Sequence, residues 1–558
     1  MPQITINGKT VEITPGEMII KAANRAGVDI PQYCYHDGLS VVASCRICLG
    51  EVWQPDAKTG QLAPLMGGKL LPTCQTAAQD GMVVYTDSPK AVANQKAVME
   101  YLLINHPLDC PVCDQAGECY LQDYSYQYGR GVSRFEETKV KQPKKDLGPH
   151  VYLYADRCIM CTRCVRFTRE VSGTAELLVA GRGNREEIDI FPGQALDNPL
   201  SGNVVDLCPV GALLDKDFLF AQRVWFLKSV PSIDGLTASG DNILIEHNDD
   251  TVYRVKPRVN MAVNKWWITD EVRHGWKFVH SPERLRQPGV RRYGVRADAD
   301  WPGAVREAAE AIGAARGRHK GVAVVLSPML SCEDAYELGS AVRAIEPTAI
   351  LTLGPVPRQG QDQTFPPGRA DGFKVWAEKA PNARGVGRVI EALGGDVRSF
   401  EDVVRVIDQG HMGAAVITGN YPSAWATPGL LGALGASGPG RVTAVVIDTL
   451  ASALSERADV LLPSVTWAEK AGTFVSGRGM AQAFERAVSA VPGARAEGQV
   501  GLDLAHVARG LALPGPVFNA AQTRATMARV GGLEELVRGV VAASLPVEQT
   551  PDMEVVEL

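Results

Sequence analysis

Three cysteines stand close together in the stretch HPLDCPVCDQAGEC (106–119): Cys110, Cys113 and Cys119. Their Cys-x2-Cys-x5-Cys spacing lets three thiolates converge on one metal centre from a single loop. An iron–sulfur cube or a tetrahedral zinc ion takes four ligands. This stretch therefore supplies three ligands of a metal site, and the fourth must come from elsewhere.

A second candidate site lies near the N-terminus, where Cys45 and Cys48 form a Cys-x2-Cys pair. Cys34 and Cys74 would close this site from neighbouring loops. The segment around them has the order hairpin, helix and cysteine loop, which is typical of a β-grasp ferredoxin and favours a [2Fe–2S] cluster. Structural zinc uses similar spacings, so it stays an alternative on spacing alone.

The third set has the most specific spacing in the chain. It combines a Cys-x2-Cys-x2-Cys run with a distant Cys-Pro, the arrangement of [4Fe–4S] ferredoxins, on Cys158, Cys161, Cys164 and Cys208. A cube with four thiolates is anionic, so nearby guanidinium groups should offset its charge and raise its reduction potential. Four arginines are close in sequence to the run: Arg157, Arg163, Arg166 and Arg169.

The fourth ligand of the first stretch follows from a count. The chain has 12 cysteines, and after two sets of four only Cys332 remains beside the three in question. Cys332 lies more than two hundred residues away in a different kind of sequence. His106 precedes Cys110 by four residues, and histidine replaces cysteine at some cluster irons. We therefore predict His106 as the fourth ligand.

Composition sets the broader limits. The chain has 558 residues, 45% of them hydrophobic, and this length predicts about three or four domains. Its net charge of −6 argues against nucleic acid as the main partner. The first residues show no export signal, and no apolar stretch reaches the roughly 20 residues that span a bilayer. We expect a soluble, cytoplasmic protein that reaches a membrane only through other chains. Clustered cysteines in a reducing compartment indicate metal or redox chemistry.

Several elements that position these sites can be predicted locally. Alternating apolar residues around Asn7-Gly8 predict a β-hairpin, and a helix after Pro15-Gly16 should end at Gly27. Ser88 and Pro89 should begin a helix that Pro107 ends. Residues 141–149 have the composition of a linker. Residues 242–258 predict a hairpin that turns at 248–250.

The chain is predicted to be an α+β multidomain protein. After about residue 285, short buried strands at 322–326, 414–418 and 443–448 alternate with helical stretches, as in a parallel α/β sheet. The predicted domains are a [2Fe–2S] ferredoxin-type domain (1–85), a [4Fe–4S] segment with one histidine and three cysteines (86–149), a [4Fe–4S] ferredoxin-type domain (150–222), a small β domain (223–284) and a C-terminal α/β domain (285–558).

The stretches HPLDCPVCDQAGECYLQDYSYQYG, DRCIMCTRCVRFTREV and CPVGAL resemble the large iron–sulfur subunit of respiratory complex I, the family of G subunits in bacterial NADH:quinone oxidoreductases. The resemblance is close over residues 1–285 and loose beyond. It implies one [2Fe–2S] and two [4Fe–4S] clusters. The ligand sets that it implies are Cys34, Cys45, Cys48 and Cys74; His106, Cys110, Cys113 and Cys119; and Cys158, Cys161, Cys164 and Cys208.

The resemblance also implies a function. In this family, electrons from NADH enter through a flavin subunit and pass along the clusters towards quinone, in a membrane-bound, proton-translocating respiratory assembly. The implied cluster order is binuclear, all-thiolate, then mixed-ligand. The implied partners are the NADH/FMN-binding subunit, a small 2Fe–2S subunit and the 4Fe–4S quinone-linking subunits. The chain would be peripheral on the cytoplasmic face of the inner membrane and would have no catalytic residues of its own.

Two departures from the family pattern matter. Some bacterial members bind an additional cube in the domain that begins near residue 223. Aligning this chain with that pattern puts the four cysteine positions at Asp234, Thr237, Asp241 and Thr269. Since none of them is cysteine, we expect the additional cube to be absent.

The second departure lies in residues 285–558, which resemble a truncated molybdopterin-oxidoreductase domain. Where that fold reads Asn-x-Glu-Gly-Arg after a Gly-Thr pair, this chain has Ser476, Arg478 and Met480. No cysteine stands where a molybdenum ligand is expected. We therefore predict a domain without molybdopterin or molybdenum that packs against partner subunits.

Two other classes of protein remain as alternatives. The first is an oxidoreductase that shares this cluster region, such as an iron-only hydrogenase, a molybdenum formate dehydrogenase, or the iron–sulfur subunit of a soluble NAD-linked hydrogenase. The iron-only hydrogenase needs further C-terminal cysteines, where only Cys332 is present, and the formate dehydrogenase needs a cysteine or selenocysteine ligand and an intact pterin site. The second is a zinc-stabilised interaction module, which would be colourless.

Overall fold

The computed structural model describes residues 2–56, 58–181, 183–435 and 441–538. The chain forms two compact units. One is built from residues up to Leu227 together with Thr364–Phe373, and the other from Lys228–Gln363 together with residues from Lys374 onward. All three cysteine sets lie in the first unit.

The N-terminal domain is a β-grasp ferredoxin fold, as predicted. Ile4 and Ile6 are buried, and Asn7 and Gly8 take the left-handed backbone (φ 49° and 82°) that a tight hairpin turn requires. The strands pair in the order β2-β1-β6-β3-β4, with β5 beside β3. The elements are β1 (Gln3–Ile6), β2 (Lys9–Glu12), α1 (Ile19–Arg25), β3 (Leu49–Pro55), β4 (Leu62–Pro64), β5 (Leu71–Pro72), β6 (Val83–Tyr85) and α2 (Pro89–Leu103).

The helix signals in this domain are confirmed. The Ser88 hydroxyl accepts a hydrogen bond from the Ala91 amide, and Pro89 occupies the first turn of α2. This cap satisfies a backbone donor that the helix itself cannot pair. The chain then leaves α2 just before His106 and enters the first cysteine stretch.

The rest of the first unit is rich in loops. Its elements are α3 (Tyr120–Tyr128), β7 (Lys144–Asp146), β8 (Val151–Tyr154), α4 (Arg163–Glu170), β9 (Leu177–Ala180), β10 (Glu187–Ile190), α5 (Asn203–Leu207) and β11 (Leu213–Asp215). Short strands form the sheets β11-β8-β7 and β10-β9. Helix α4 continues directly from the Cys158–Cys164 run.

The predicted linker at 141–149 is wrong in part, because β7 lies within it. Lys144, Lys145 and Asp146 pair antiparallel with β8. Lysines and a preceding proline are common on edge strands, where charge discourages further pairing. The same composition is typical of linkers, which explains the error.

The second unit begins with a small β domain. Strands β12 (Lys228–Ile233), β13 (Asn242–Asn248) and β14 (Thr251–Pro257) form one antiparallel sheet. The predicted hairpin is confirmed, and Asp249 and Asp250 at its turn have φ of 45° and 60°. Helix α6 (Asp270–His274) follows.

The α/β domain is built on one seven-stranded sheet. Its strands pair in the order β16 (Val295–Asp298), β15 (Gly289–Arg292), β23 (Val460–Pro463), β22 (Thr443–Asp448), β21 (Met412–Thr418), β17 (Gly321–Leu326) and β18 (Ile350–Leu353). The three predicted strands are found, and each is buried: β17 (Gly321–Leu326), β21 (Met412–Thr418) and β22 (Thr443–Asp448). These strands, β18 and β23 pair parallel. Parallel strands that are buried on both faces have continuous apolar sequences, so these three strands could be predicted from the sequence.

The other elements complete this part of the chain. They are β15 (Gly289–Arg292), β16 (Val295–Asp298), α7 (Trp301–Gly317), α8 (Cys332–Ile345), β18 (Ile350–Leu353), β19 (Gln363–Phe365), β20 (Phe373–Val375), α9 (Ala383–Leu393), α10 (Phe400–Asp408), α11 (Pro428–Gly435), α12 (Ala453–Arg457), β23 (Val460–Pro463), β24 (Gly472–Val475), β25 (Ala481–Phe484), α13 (Glu497–Ala508), α14 (Ala520–Met527) and α15 (Glu534–Arg538). Within the described ranges, no helix has the length and apolar character needed to cross a bilayer.

Candidate metal centres

The N-terminal cysteines are arranged as two pairs. The sulfurs of Cys34 and Cys45 lie 3.4 Å apart, and Cys48 hydrogen-bonds with Cys74. In the described part of the chain, no three cysteine sulfurs lie within 4.8 Å of one another. Four ligands on one zinc ion would place all their sulfurs about 3.8 Å apart, given Zn–S bonds of about 2.3 Å. Two separate pairs instead fit two metal ions with two thiolates each.

The thiol pKa values follow this pairing. The hydrogen bond with Cys45 lowers the pKa of Cys34 to about 5, and the same bond raises the pKa of Cys45. The hydrogen bond with Cys74 likewise lowers the pKa of Cys48 to about 7 and raises that of Cys74. Each pair therefore holds one readily formed thiolate, the form that binds metal.

The Cys158–Cys164 run curls around a common centre. Met160 and Thr162, between its cysteines, have positive φ angles of 52° and 59°. The amide of Met160 points at the sulfur of Cys158, 3.3 Å away. Cys208, at the end of α5, is held near Cys158 and Cys161, because the charges of these thiols influence one another. The structure thus brings together the four cysteines of the third predicted set.

Burial makes the four thiols of this set harder to deprotonate. It raises the thiol pKa of all four cysteines, that of Cys161 to about 11. Without a cation these thiols stay protonated near neutral pH, so metal binding must displace their protons. Two nearby arginines, Arg163 and Arg166, are only 5% and 8% exposed, and the buried Nε of each has no hydrogen-bond partner among the described residues. Buried guanidinium groups near buried thiols fit an anionic iron–sulfur cluster.

The first stretch has one exposed and two buried cysteines. Cys110 is exposed, whereas Cys113 and Cys119 are buried and interact electrostatically with it and with each other. Burial raises the pKa of Cys119 to about 11. The three thiols therefore lie close enough for their charges to influence one another.

His106 lies at the start of this stretch and is half-buried. Burial, together with the positive charges of Arg157 and Lys139, lowers the pKa of its imidazole to about 4, against the opposing influence of Asp109. The ring is therefore neutral at pH 7, the form that ligates metal. Arg157 influences both His106 and Cys113 electrostatically, so the predicted fourth ligand and Cys113 both lie within reach of the same guanidinium group.

The segment after Cys208 contacts this stretch directly. A Cβ on Gly211 would lie 2.2 Å from the sulfur of Cys113, so only glycine fits there. The amide of Tyr120, which follows Cys119, donates to the carbonyl of Pro209 (3.1 Å). Arg157 donates to Asp109 at 2.8 Å and 3.0 Å. The second and third cysteine sets therefore share a short, tightly packed boundary.

The sequence indicated the arginines but not their partners. Arg163 donates to the carbonyls of Tyr35 (2.5 Å) and Leu207 (3.3 Å), and Arg166 donates to the carbonyl of Cys34 (2.5 Å). The acceptor Leu207 lies more than 40 positions from its arginine in the sequence. Tyr35 and Cys34 lie more than 120 positions from theirs. Local spacing carries no signal for such long-range contacts.

The four positions aligned with the cysteines of the additional cube carry oxygen-bearing side chains in this chain. Asp234 is buried and accepts hydrogen bonds from the Leu236 amide (2.8 Å) and the Ser239 hydroxyl (2.8 Å), and Thr237 also donates to it. Burial raises the pKa of Asp234 to about 6. The fourth position, Thr269, caps helix α6. Asp234, Thr237 and Thr269 are hydrogen-bonded to neighbouring side chains or to the backbone, whereas the buried Oδ2 of Asp241 has no hydrogen-bond partner among the described residues. Residues 227–277 contain no cysteine.

The loop between β24 and β25, which departs from the molybdopterin pattern, forms hydrogen bonds within the protein. Ser476 is buried, and its amide donates to the Met480 carbonyl (2.9 Å). Arg478 donates to the carbonyl of Ala262 (3.2 Å). These contacts stabilise the β24–β25 hairpin within its own unit.

Comparison with known proteins matches five sequence families to the chain. They are described as 2Fe-2S iron-sulfur cluster binding domain (2–89), NADH-ubiquinone oxidoreductase-G iron-sulfur binding region (95–134), NADH-quinone oxidoreductase subunit 3, ferredoxin-like domain (148–214), NADH-ubiquinone oxidoreductase NDSU1/NuoG-like, 4Fe-4S domain (227–277) and Molybdopterin oxidoreductase (442–507). The matches follow the predicted order of the domains, and the predicted fold class is confirmed.

Named relatives agree with these families. The G subunit of the NADH-quinone oxidoreductase of Rickettsia bellii is 39% identical over 312 residues, which is 56% of this chain and 44% of the relative. The chain is a homologue of the NADH-quinone oxidoreductase G subunits. The mitochondrial NADH-ubiquinone oxidoreductase 78 kDa subunit of Neurospora crassa is 44% identical over 311 residues, 55% of this chain and 40% of the relative. The match thus spans less than half the length of either relative.

Among solved structures, an NAD+-reducing [NiFe]-hydrogenase in the H2-reduced state is similar to part of this G-subunit homologue. The sequence identity is 26%, and the match covers 40% of this chain and 91% of that chain. The TM-score is 0.34.

Proposed function

We propose that this chain is the iron–sulfur electron-transfer subunit of an NADH:quinone oxidoreductase, complex I. The observation that carries the proposal is the grouping of eleven cysteines and one histidine into three sets within one compact unit. The homology to G subunits and the matches to 2Fe–2S and 4Fe–4S binding domains support it.

The proposed ligands are those that the sequence predicts. A [2Fe–2S] cluster would be held by Cys34, Cys45, Cys48 and Cys74. One [4Fe–4S] cluster would be held by His106, Cys110, Cys113 and Cys119, and the other by Cys158, Cys161, Cys164 and Cys208. When bound, these clusters would supply one-electron chemistry at low potential. The chain itself would fix their positions, exclude water and tune their potentials.

Contacts between the three sets support the implied order of transfer. The loop after Cys34 contacts helix α4 of the all-thiolate set through Arg163 and Arg166. The segment after Cys208 in turn packs on the mixed-ligand set at Gly211 and Tyr120. The all-thiolate set therefore lies next to both the binuclear set and the mixed-ligand set.

A second contact also joins the binuclear and mixed-ligand sets. The ring of Tyr33, beside Cys34, lies 5.3 Å from the ring of Tyr124 in helix α3. Tyr33 is fully buried, and its hydroxyl donates to the sulfur of Met99 (3.1 Å). This packing holds α3 and Cys119 against the ferredoxin domain.

The second unit would have a structural role in this proposal. The small β domain would hold no cluster, because oxygen-bearing side chains occupy the positions where other members have cysteine. The α/β domain would hold neither molybdopterin nor molybdenum. The chain would then have no active site of its own and would serve a proton-translocating enzyme as one member.

The proposed partners are the NADH/FMN-binding subunit, the small 2Fe–2S subunit and the 4Fe–4S subunits that lead to quinone. The chain would be cytoplasmic and would lie on the cytoplasmic face of the inner membrane through these partners. We expect no nucleic acid among its partners.

Electron counting tests the function. We expect the full chain, assembled with iron and sulfide, to take up about three electrons in an anaerobic reductive titration, one for each cluster. Electron paramagnetic resonance during the titration should resolve one binuclear and two four-iron signals.

The matched control is Cys332→Ala, because Cys332 is buried in α8 far from the three sets in sequence. This variant should take up the same number of electrons as the unmodified chain. A chain that takes up no electrons after assembly would contradict the proposed function.

A further inference from the structure

Helix α4 belongs to one candidate site and contacts another. It begins directly after Thr162, contains Cys164 and ends at Glu170. Its side chains reach the loop that follows Cys34. Glu170, in its last turn, accepts hydrogen bonds from the amide (2.8 Å) and the hydroxyl of Ser40.

Arg166 lies at the centre of this contact. Its Nη2 donates to the carbonyl of Cys34 (2.5 Å) and to the carbonyl of Cys161 (3.3 Å). Its Nη1 donates to the carbonyl of Ser40 (2.5 Å). Cys34 is a proposed ligand of the binuclear cluster and Cys161 of the all-thiolate cluster, so one guanidinium group joins the backbones of both sites.

The carboxylate that acts on the charge of Arg166 is Glu170, four residues further along helix α4. In the described part of the chain no carboxylate oxygen lies within 4.0 Å of its guanidinium nitrogens, and its buried Nε has no hydrogen-bond partner. The residue is only 8% exposed, so solvent screens its charge weakly. Its hydrogen bonds all go to neutral carbonyls. Besides Glu170, the negative groups that act on its charge are the ligand thiolates of Cys161 and Cys34, one at each site.

We infer that Arg166 is a positioning residue shared by the two clusters, whose single positive charge raises the reduction potentials of both. This inference rests on the proposed function. Reduction adds one negative charge to a cluster, so a buried cation beside both sites favours reduction at each of them. Arg166 would thus raise the two neighbouring potentials together, whereas a cation that serves one site would move only one.

The test is Arg166→Gln in the full chain assembled with iron and sulfide. The potentials of the binuclear and all-thiolate clusters are measured by a redox titration followed by electron paramagnetic resonance. We expect both potentials to fall, so that the ratio of reduced to oxidised cluster at a fixed ambient potential drops roughly tenfold at each site, which corresponds to about 59 mV for a one-electron couple. The mixed-ligand cluster should change least.

The matched control is Arg169→Gln. Arg169 is on the same helix and loses the same charge, but its side chain is exposed, so water screens it and neither potential should move. In Arg166→Gln, a shift of one potential alone, or of neither, would overturn the inference and leave the proposed function standing. Failure of the unmodified chain to assemble the clusters would instead overturn the proposed function.

Arg166→Lys decides the case in which Arg166→Gln fails to assemble a cluster. If Arg166→Gln loses both clusters and Arg166→Lys retains both, the charge is needed at both sites and the inference is supported. If Arg166→Gln loses one cluster, a lowered potential at the remaining one supports the inference, and an unchanged potential overturns it. Loss of both clusters in Arg166→Lys as well would assign the residue a purely structural role and overturn the inference.

Discussion

His106→Ala should remove about four irons and four sulfides from each chain, because it leaves one four-iron cluster with three ligands. The neutral imidazole is half-buried, and alanine offers no donor atom in its place. Iron and acid-labile sulfide analysis of the assembled chain measures the loss. Electron paramagnetic resonance should show that one four-iron signal disappears while the other two signals persist.

Two further variants make this result specific. His106→Cys should retain the cluster but lower its potential, because a fourth thiolate makes the cluster more negative than an imidazole does. His411→Ala removes an exposed histidine of the α/β domain and should leave iron, sulfide and all signals unchanged. Full iron and sulfide in His106→Ala would show that the second four-iron cluster has another ligand.

Lys470→Met should lower the free energy of unfolding of the second unit by about 3–5 kcal/mol. The Nζ of Lys470 lies 2.9 Å from Asp334 and 2.6 Å from Glu497, and all three side chains are buried. Burial opposes the charge on Lys470, but the two carboxylates outweigh it and hold its pKa above the usual value. Removing the cation leaves two buried carboxylates without their counter-charge. Urea unfolding of the full chain, followed by circular dichroism, measures the change.

An exposed ion pair in the same unit provides the control. Arg398 and Asp396 lie 2.7 Å apart with side chains 39% and 46% exposed. Arg398→Met should leave the unfolding midpoint unchanged, because exposed pairs contribute little. Adding Glu497→Gln to Lys470→Met should restore part of the lost stability, since it removes one of the stranded charges. A Lys470→Met midpoint equal to that of the unmodified chain would contradict this account of the network.

The sequence predicted the features that depend on near neighbours. The Asn7-Gly8 turn, the Ser88 cap and the buried parallel strands follow from backbone geometry and from the burial of short apolar runs. The cysteine runs are also local, because three ligands of a cube can come from one loop. These parts of the fold and of the sites therefore needed no structure.

Other features depend on contacts between distant segments. The two cysteine pairs of the binuclear site, the packing of Gly211 on Cys113 and the reach of Arg166 to Cys34 arise only when the folded chain brings remote loops together. The edge strand β7 was missed because lysine and proline also favour linkers. Charge pattern alone does not reveal whether an arginine faces solvent, as Arg169 does, or is buried, as Arg166 is.

Metal and sulfide analysis of the full chain, assembled with iron and sulfide and then freed of unbound metal, measures how many clusters the chain holds. We expect about ten irons and ten acid-labile sulfides per chain, two of each from the binuclear cluster and four of each from either cube. Zinc in stoichiometric amounts without sulfide would contradict this expectation, because the three ligand sets would then hold single ions rather than electron-carrying clusters.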